Sequence, residues 1–232
     1  QLTVNQRPLN ATLSRQYDGT TTSAGSDLSS FDALQGGETL TLSGSGTSAS
    51  ANVANGIAMS SNGNLALVDG TGLASNYSLN STVINITERV LNSSGSKIYD
   101  ANTDALAADI TLSNLVSGEA LNHSGTATIS SANAGSYTIT NLAGITIADG
   151  SGGTASNYTL TGGTHNFTVN PKVVSIQGNK TYDGNTTISS GDITSITDTV
   201  GAETLVISSG SGTVSSANAA TYASAGINEG TL

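Results

Sequence analysis

The sequence predicts an all-β chain of tandem antiparallel β-sandwich units, and three observations carry that prediction. A Tyr-Asp-Gly motif recurs as Tyr17-Asp18-Gly19, Tyr99-Asp100-Ala101 and Tyr182-Asp183-Gly184, in steps of 82 and 83 residues. Self-similarity at a fixed period means an array of one structural unit, and about 80 residues are enough for each unit to bury a small core of its own. Apolar residues also alternate with Thr and Ser over short runs, the period-two pattern of half-buried strands. Finally, turn residues punctuate those runs and no sustained 3.6-residue apolar stripe appears. An immunoglobulin-like sandwich fits short strands with frequent turns; a β-grasp-like unit is the alternative.

Taken in order, the chain opens with Leu2-Thr3-Val4-Asn5, which matches Phe167-Thr168-Val169-Asn170 further on. Residues 1–5 therefore read as the closing strand of a preceding copy. The first unit spans 6–88, the second 89–170, and the third 171–232, which is C-terminally incomplete. Within each unit a glutamate opens an alternating strand about 20 residues after the tyrosine: Glu38, Glu119 and Glu203. A Ser-Ala-Asn triplet follows at Ser50, Ser131 and Ser216, and Ser-Asn-Tyr-Ser/Thr-Leu ends the series at Ser75–Leu79 and Ser156–Leu160. Strands are expected at 38–42, 137–140, 145–147 and 167–170. Turns are expected at Ser45-Gly46, Asp69-Gly70, Asp149-Gly150, Gly162-Gly163 and Gly210-Ser211-Gly212, with one helical turn near Ala105–Asp109. Pro8 and Pro171 fall near the joints, where a fixed φ stiffens the connection. Joints this short predict neighbouring units held semi-rigidly, each around a separate core. The open third unit is explained by a fragment of a longer array, or by head-to-tail self-assembly in which the first strand of one molecule completes the third unit of another.

Composition narrows the function. Net charge is −10, yet only 9% of residues are charged, and Lys plus Arg total six. With no basic patch to neutralise phosphates, nucleic acid is excluded as a partner. No apolar run is long enough for membrane insertion as a helix. There is no cysteine, so stability must come from packing and backbone hydrogen bonds.

Candidate chemistry is sparse. Tyr17, Tyr99 and Tyr182 are expected to cap the end of each core while Asp18, Asp100 and Asp183 with Gly19 and Gly184 form the following turn. Ala101 stands where the other copies have glycine, so either it keeps a negative φ or the second unit carries strain. Tyr77 and Tyr158 are expected in core or interface packing, with Asn76 and Asn157 making local Asx turns. Carboxylates recur at Asp27, Asp32 and Glu38, at Asp104, Asp109 and Glu119, and at Asp192, Asp198 and Glu203. Calcium between units is the cofactor they could hold, although the spacing matches no EF-hand loop; turn-forming and capping roles are the simpler expectation. His123 occupies the place of Leu42, and His165 aligns with Ile84. Neither has partners phased for a metal site or a triad, and no nucleophile elbow occurs, so no enzyme is expected. Asn-x-Ser/Thr sequons at Asn76, Asn85, Asn157 and Asn166 follow from the composition.

The run Lys180-Thr181-Tyr182-Asp183-Gly184-Asn185-Thr186, with Lys97-Ile98-Tyr99-Asp100, the Ser-Asn-Tyr-Ser/Thr-Leu signature and the closing Phe167-Thr168-Val169-Asn170-Pro171, resembles the YDG-type repeats of large bacterial adhesins. Those adhesins are the filamentous-haemagglutinin-like proteins exported by two-partner secretion. The resemblance spans the whole chain except the end of the third unit, and departs from the pattern at Ala101 and at Arg15-Gln16. It implies a secreted or cell-surface location, a role in cell adhesion or biofilm, and no catalytic residues. A non-catalytic structural stalk is then the first expectation. A multivalent module binding carbohydrate, or host or bacterial surface proteins, is the second, with avidity gained from repetition.

Overall fold

The computed structural model describes residues 1–231 as an all-β chain whose only helical segments are single 3-10 turns. In the first unit the strands are β1 (Arg7–Gln16), β2 (Thr22–Ala24), β3 (Leu28–Phe31) and β4 (Leu40–Ser43). They continue with β5 (Ser45–Ser48), β6 (Ala54–Ser61), β7 (Ala66–Asp69) and β8 (Tyr77–Thr87). The second unit has β9 (Arg89–Val90), β10 (Asn92–Ile98), β11 (Asp104–Leu106), β12 (Ile110–Ser113) and β13 (Leu121–Ile129). It closes with β14 (Gly135–Asn141), β15 (Ile145–Asp149), β16 (Tyr158–Thr159) and β17 (His165–Asn170). The third holds β18 (Ser175–Gly178), β19 (Thr187–Ser189), β20 (Ile193–Thr197), β21 (Ser211–Val214) and β22 (Ile227–Asn228).

The main sheet of the first unit has the order β2-β5-β6-β8-β1-β3, and that of the second runs β11-β13-β14-β17-β10-β12 with β15 also paired to β13. These sheets are mixed rather than wholly antiparallel. β1 lies parallel to β8 from Arg7↔Tyr77 to Gln16↔Thr87, and β10 lies parallel to β17 from Ser93↔His165 to Ile98↔Asn170. The opening strand must end where the closing strand hands the chain to the next unit. Parallel pairing achieves this, and the intervening strands serve as the long crossover that parallel neighbours require.

Alternation decides which side chains enter the interior. Along β1, Leu9, Ala11 and Leu13 are at most 1% exposed, and along β8 Ile84 and Ile86 are likewise. In β17 the corresponding pair is Phe167 and Val169, each 1% exposed. The pairing fixes an equivalence that spacing had placed wrongly. Tyr17 donates its backbone N–H to Thr87 and Tyr99 donates its own to Asn170, so Thr87 matches Asn170 and His165 matches Thr82, not Ile84. Two extra residues near Gly162-Gly163 in the closing segment of the second unit account for the offset.

The motif that names the period is a turn at the end of the opening strand. Asp18 Oδ1 accepts from the backbone N–H of Thr20 at 2.9 Å, Asp100 Oδ1 from Asn102 at 3.2 Å, and Asp183 Oδ1 from Asn185 at 3.0 Å. Three residues upstream a cation reaches the same carboxylate: Arg15, Lys97 or Lys180. Each pair is exposed on the aspartate side, so it adds at most about 1 kcal/mol and the backbone bonds define the turn. Gly19 and Gly184 adopt φ near +78° and +77°, and Ala101 follows them at +64°. Of the two outcomes open for Ala101, the left-handed one holds. A Cβ there costs about 1 kcal/mol. Replacing Ala101 by Gly is expected to stabilise the second unit by roughly that amount, read as a raised denaturant midpoint with unchanged slope.

Candidate functional site

Because the opening and closing strands run side by side, each unit has an exit end carrying the Tyr-Asp-Gly tyrosine and an entrance end carrying the Ser-Asn-Tyr tyrosine. Tyr17 ends β1 beside Thr87, while Tyr77 and Tyr158 begin closing segments beside Arg7 and Arg89. Where the first unit meets the second, the exit of one faces the entrance of the next, and the repeated landmarks converge there.

At the centre is Glu119. Its Oε1 accepts from the Tyr17 hydroxyl and its Oε2 from the Tyr158 hydroxyl, both at 2.6 Å. Tyr158 in turn accepts the backbone N–H of Val116 at 3.1 Å. The two rings meet edge to face, with centroids 5.4 Å apart and planes at 79°. Tyr17 is 5% exposed and Tyr158 2%. Hydrogen bonds to a charged group contribute about 1.5–3 kcal/mol each, against about 0.5–1.5 kcal/mol for the ring pair, so the carboxylate dominates the polar part of the joint.

Asn157 adds a second bridge. It is 1% exposed, donates from Nδ2 to Asn52 Oδ1 at 3.0 Å, and accepts the Val53 N–H at 2.9 Å. The local Asx turn expected of it gives way to a cross-joint bond, because burial leaves its amide no water to satisfy it. Asp149 serves the local turn instead, its Oδ1 accepting from the Ala155 N–H at 2.7 Å, as Asp69 does for Ala74. Arg89 crosses as well, from Nη1 to the Tyr17 carbonyl at 3.4 Å, while Nη2 holds Asn114 Oδ1 at 2.8 Å. Apolar packing runs without a break across the boundary: Leu13, Ile84 and Ile86 of the first unit share one cluster with Leu91 and Tyr158 of the second. The separate cores expected from the repeat length are thus fused at this joint. Gly19 is part of the fit, since a Cβ there would stand 2.9 Å from Val116 Cγ1.

Environment shows in the phenols. Burial, then the hydrogen bond to Glu119, pushes Tyr158 up to about 12 and also raises Tyr17. Tyr77 is raised chiefly by its hydrogen bond to Glu38, and Tyr99 by its bond to Glu203. Tyr99–Glu203 repeats the Tyr17–Glu119 contact one unit later, and Tyr77–Glu38 repeats the Tyr158–Glu119 contact one unit earlier. Tyr182, by contrast, is 68% exposed.

The two units that meet here match one known domain family. The YDG domain model matches residues 2–84 and again 86–166, more than half of the chain. The chain belongs to the YDG domain family. No curated protein and no solved structure matches it. In this chain the tyrosine and aspartate of the motif divide their work: the aspartate shapes the turn, and the Tyr17 and Tyr99 rings reach a glutamate of the following unit.

The remaining candidates lie apart from the joint. Asp27 and Asp192 accept backbone N–H groups of Ala24 and Ser189 at 3.0 and 2.8 Å, and Asp32 accepts from Asn10 at 2.6 Å. These are turn and strand-end roles, and among the described residues no three His, Cys, Asp or Glu side chains gather as a metal site. His123 Nε2 lies 3.0 Å from the Ala107 carbonyl and 2.9 Å from that of Ile110. One pair escaped sequence reasoning: Ser93 Oγ lies 2.9 Å from His165 Nδ1, while His165 Nε2 lies 2.8 Å from the Leu160 carbonyl. The carbonyl can only accept, so Nε2 carries a proton and donates to it, which leaves Nδ1 to pair with the Ser93 hydroxyl. Both residues are buried, at 4% and 6% exposed, and stand as a satisfied polar pair in the core. Only the pairing of β10 with β17, which sets Ser93 opposite His165, reveals it.

Glu119→Ala leaves two buried hydroxyls without an acceptor and is expected to cost about 2–4 kcal/mol of coupling between the first two units. Separate unfolding transitions, absent from the parent, would reveal it in calorimetry. The phenols give a pH test. Both pKa values are raised in the fold, so the stabilisation is complete below the ordinary value of 10.0 and is lost as pH rises above it, toward about 12 for Tyr158. Stability of the joint should therefore fall across that window. Tyr158→Phe should delete one late-titrating phenol from an ultraviolet titration.

Proposed function

We propose that the chain is a non-catalytic structural stretch of a secreted or surface-displayed bacterial adhesin of the filamentous-haemagglutinin-like kind, a stalk that holds a binding region away from the cell in adhesion or biofilm. On this reading each YDG unit is an immunoglobulin-like sandwich and the units stand in line as a spacer. The observation that supports it is the shared carboxylate of Glu119, which takes one hydroxyl from each side of a joint and so opposes bending between neighbours. A spacer needs stiff joints more than it needs a pocket. Burial of Tyr17, Tyr77 and Tyr158 also speaks for packing over sugar stacking, since a ring at most 5% exposed offers no face to a glycan.

Small-angle scattering of the whole chain tests the reading. A maximum dimension far beyond that of a globule of equal mass is expected, with the profile of Glu119→Ala broadened by flexing. A compact profile, or one in which Glu119→Ala changes nothing, would count against a stiff spacer.

A further inference from the structure

Tension along the chain meets each unit through its opening and closing strands. In the first unit the backbone enters at the start of β1 and leaves at the end of β8, and the two lie parallel from Arg7↔Tyr77 to Gln16↔Thr87. The path in and the path out therefore sit at opposite ends of one ladder. A pull on the chain drives β1 backward and β8 forward along their shared axis. Every bond between them is then loaded at once, and all must fail together. Had the two been antiparallel neighbours, entry and exit would share one end and the bonds would part singly. The second unit repeats the arrangement, with β9 beside β16 from Arg89↔Tyr158 and β10 beside β17 as far as Ile98↔Asn170.

Side chains fasten the loaded strands to each other. Leu9, Ala11 and Leu13 of β1 and Ile84 and Ile86 of β8 are buried, so water cannot reach the ladder from that face to take over its bonds. Asn10 Oδ1 accepts from Asn80 Nδ2 at 3.0 Å and from the Ser81 hydroxyl at 2.6 Å. These contacts lie where the register shifts, between Leu9 and Asn10, and key the bulge in place. Sliding by one residue would also turn the apolar set of a strand out of the core. In the second unit the bond between Ser93 and His165 crosses from β10 to β17, which gives that buried pair a task. Asn92 adds another tie, its Oδ1 accepting the Thr164 N–H at 2.8 Å.

We propose that the ladder between opening and closing strands is a mechanical clamp, and that each unit carries tension along the chain without unfolding. Bearing load is a separate task from resisting bending, which falls to Glu119 at the joint. The proposal rests on the stalk reading only for the source of the tension. The two can fail separately, because a weak clamp would leave an extended scattering profile untouched.

Single-molecule pulling on the full chain is the test, and the absence of cysteine leaves introduced Cys handles unique. Asn5→Cys with Glu88→Cys pulls the first unit along its clamp. Asn5→Cys with Asn76→Cys pulls instead at the end where Arg7 pairs with Tyr77, and peels the ladder open. All three side chains are exposed, so circular dichroism and melting of the variants should match the parent. Stability of the folded unit is then the same in both, and only the direction of force differs. At one loading rate the first pair of handles should require a rupture force roughly twofold or more above the second. Each opening should lengthen the tether by about 250 Å. Glu88→Cys with Lys172→Cys, against Glu88→Cys with Ser156→Cys, repeats the comparison on the second unit. Equal forces in the two directions, or a higher force in peeling, would overturn the proposal in either unit.

Discussion

A single carboxylate shared between two units is the constraint from which the rest of this structure follows. Glu119 has two oxygens, and each takes a phenol hydroxyl from a different side of the joint. Leaving a buried hydroxyl or carboxylate oxygen unpaired costs more than a made hydrogen bond contributes, so the arrangement tolerates little displacement. Apolar packing also runs across the joint, but the hydrophobic effect behind it is not directional. The directional bonds of Glu119, and those of Asn157 to Asn52 and Val53, fix the orientation.

That requirement reaches back into the fold of each unit. A tyrosine must stand at the exit and another at the entrance of the same body. Side-by-side opening and closing strands meet this need, since Tyr17 ends β1 while Tyr77 begins β8, and the two strands are parallel. The turn made by Asp18 and Gly19 then carries the chain away without obstructing the next unit, whose Val116 side chain lies against Gly19. Structure and joint are thus solved by the same few positions.

Burial differs between the second and third units over the residues described. Ala105, Ile110, Ile129 and Ile145 of the second unit are buried, whereas of their counterparts only Ile188 is. Leu205, which matches the buried Leu40, is 51% exposed, and residues 220–223, which match the first four residues of β14, form no strand. In the second unit β14 pairs with β17, so the closing strand organises a neighbour as well as the core.

The sequence by itself determined the period, the all-β class, the identity of the repeated positions and several turns, although Ser45-Gly46 lies within β5 and Ser211-Gly212 within β21, because a Gly in a strand carries the same local signal as a Gly in a turn. It did so because alternation and turn chemistry are local, read from residues a few places apart. The 3-10 turn at Ala107–Asp109 falls within the stretch expected to hold one. What only the tertiary structure decided was where those repeated positions meet. Tyr17 and Glu119 are more than a hundred residues apart, in different units, and no local pattern joins them. The parallel pairing of first with last strand was equally hidden, since alternation looks the same in either direction. Register went astray for His165, because two added residues in a loop shift spacing without altering the strand. Asn157 was read as a local turn former, and its cross-joint bond is visible only once burial removes the water that would otherwise satisfy it.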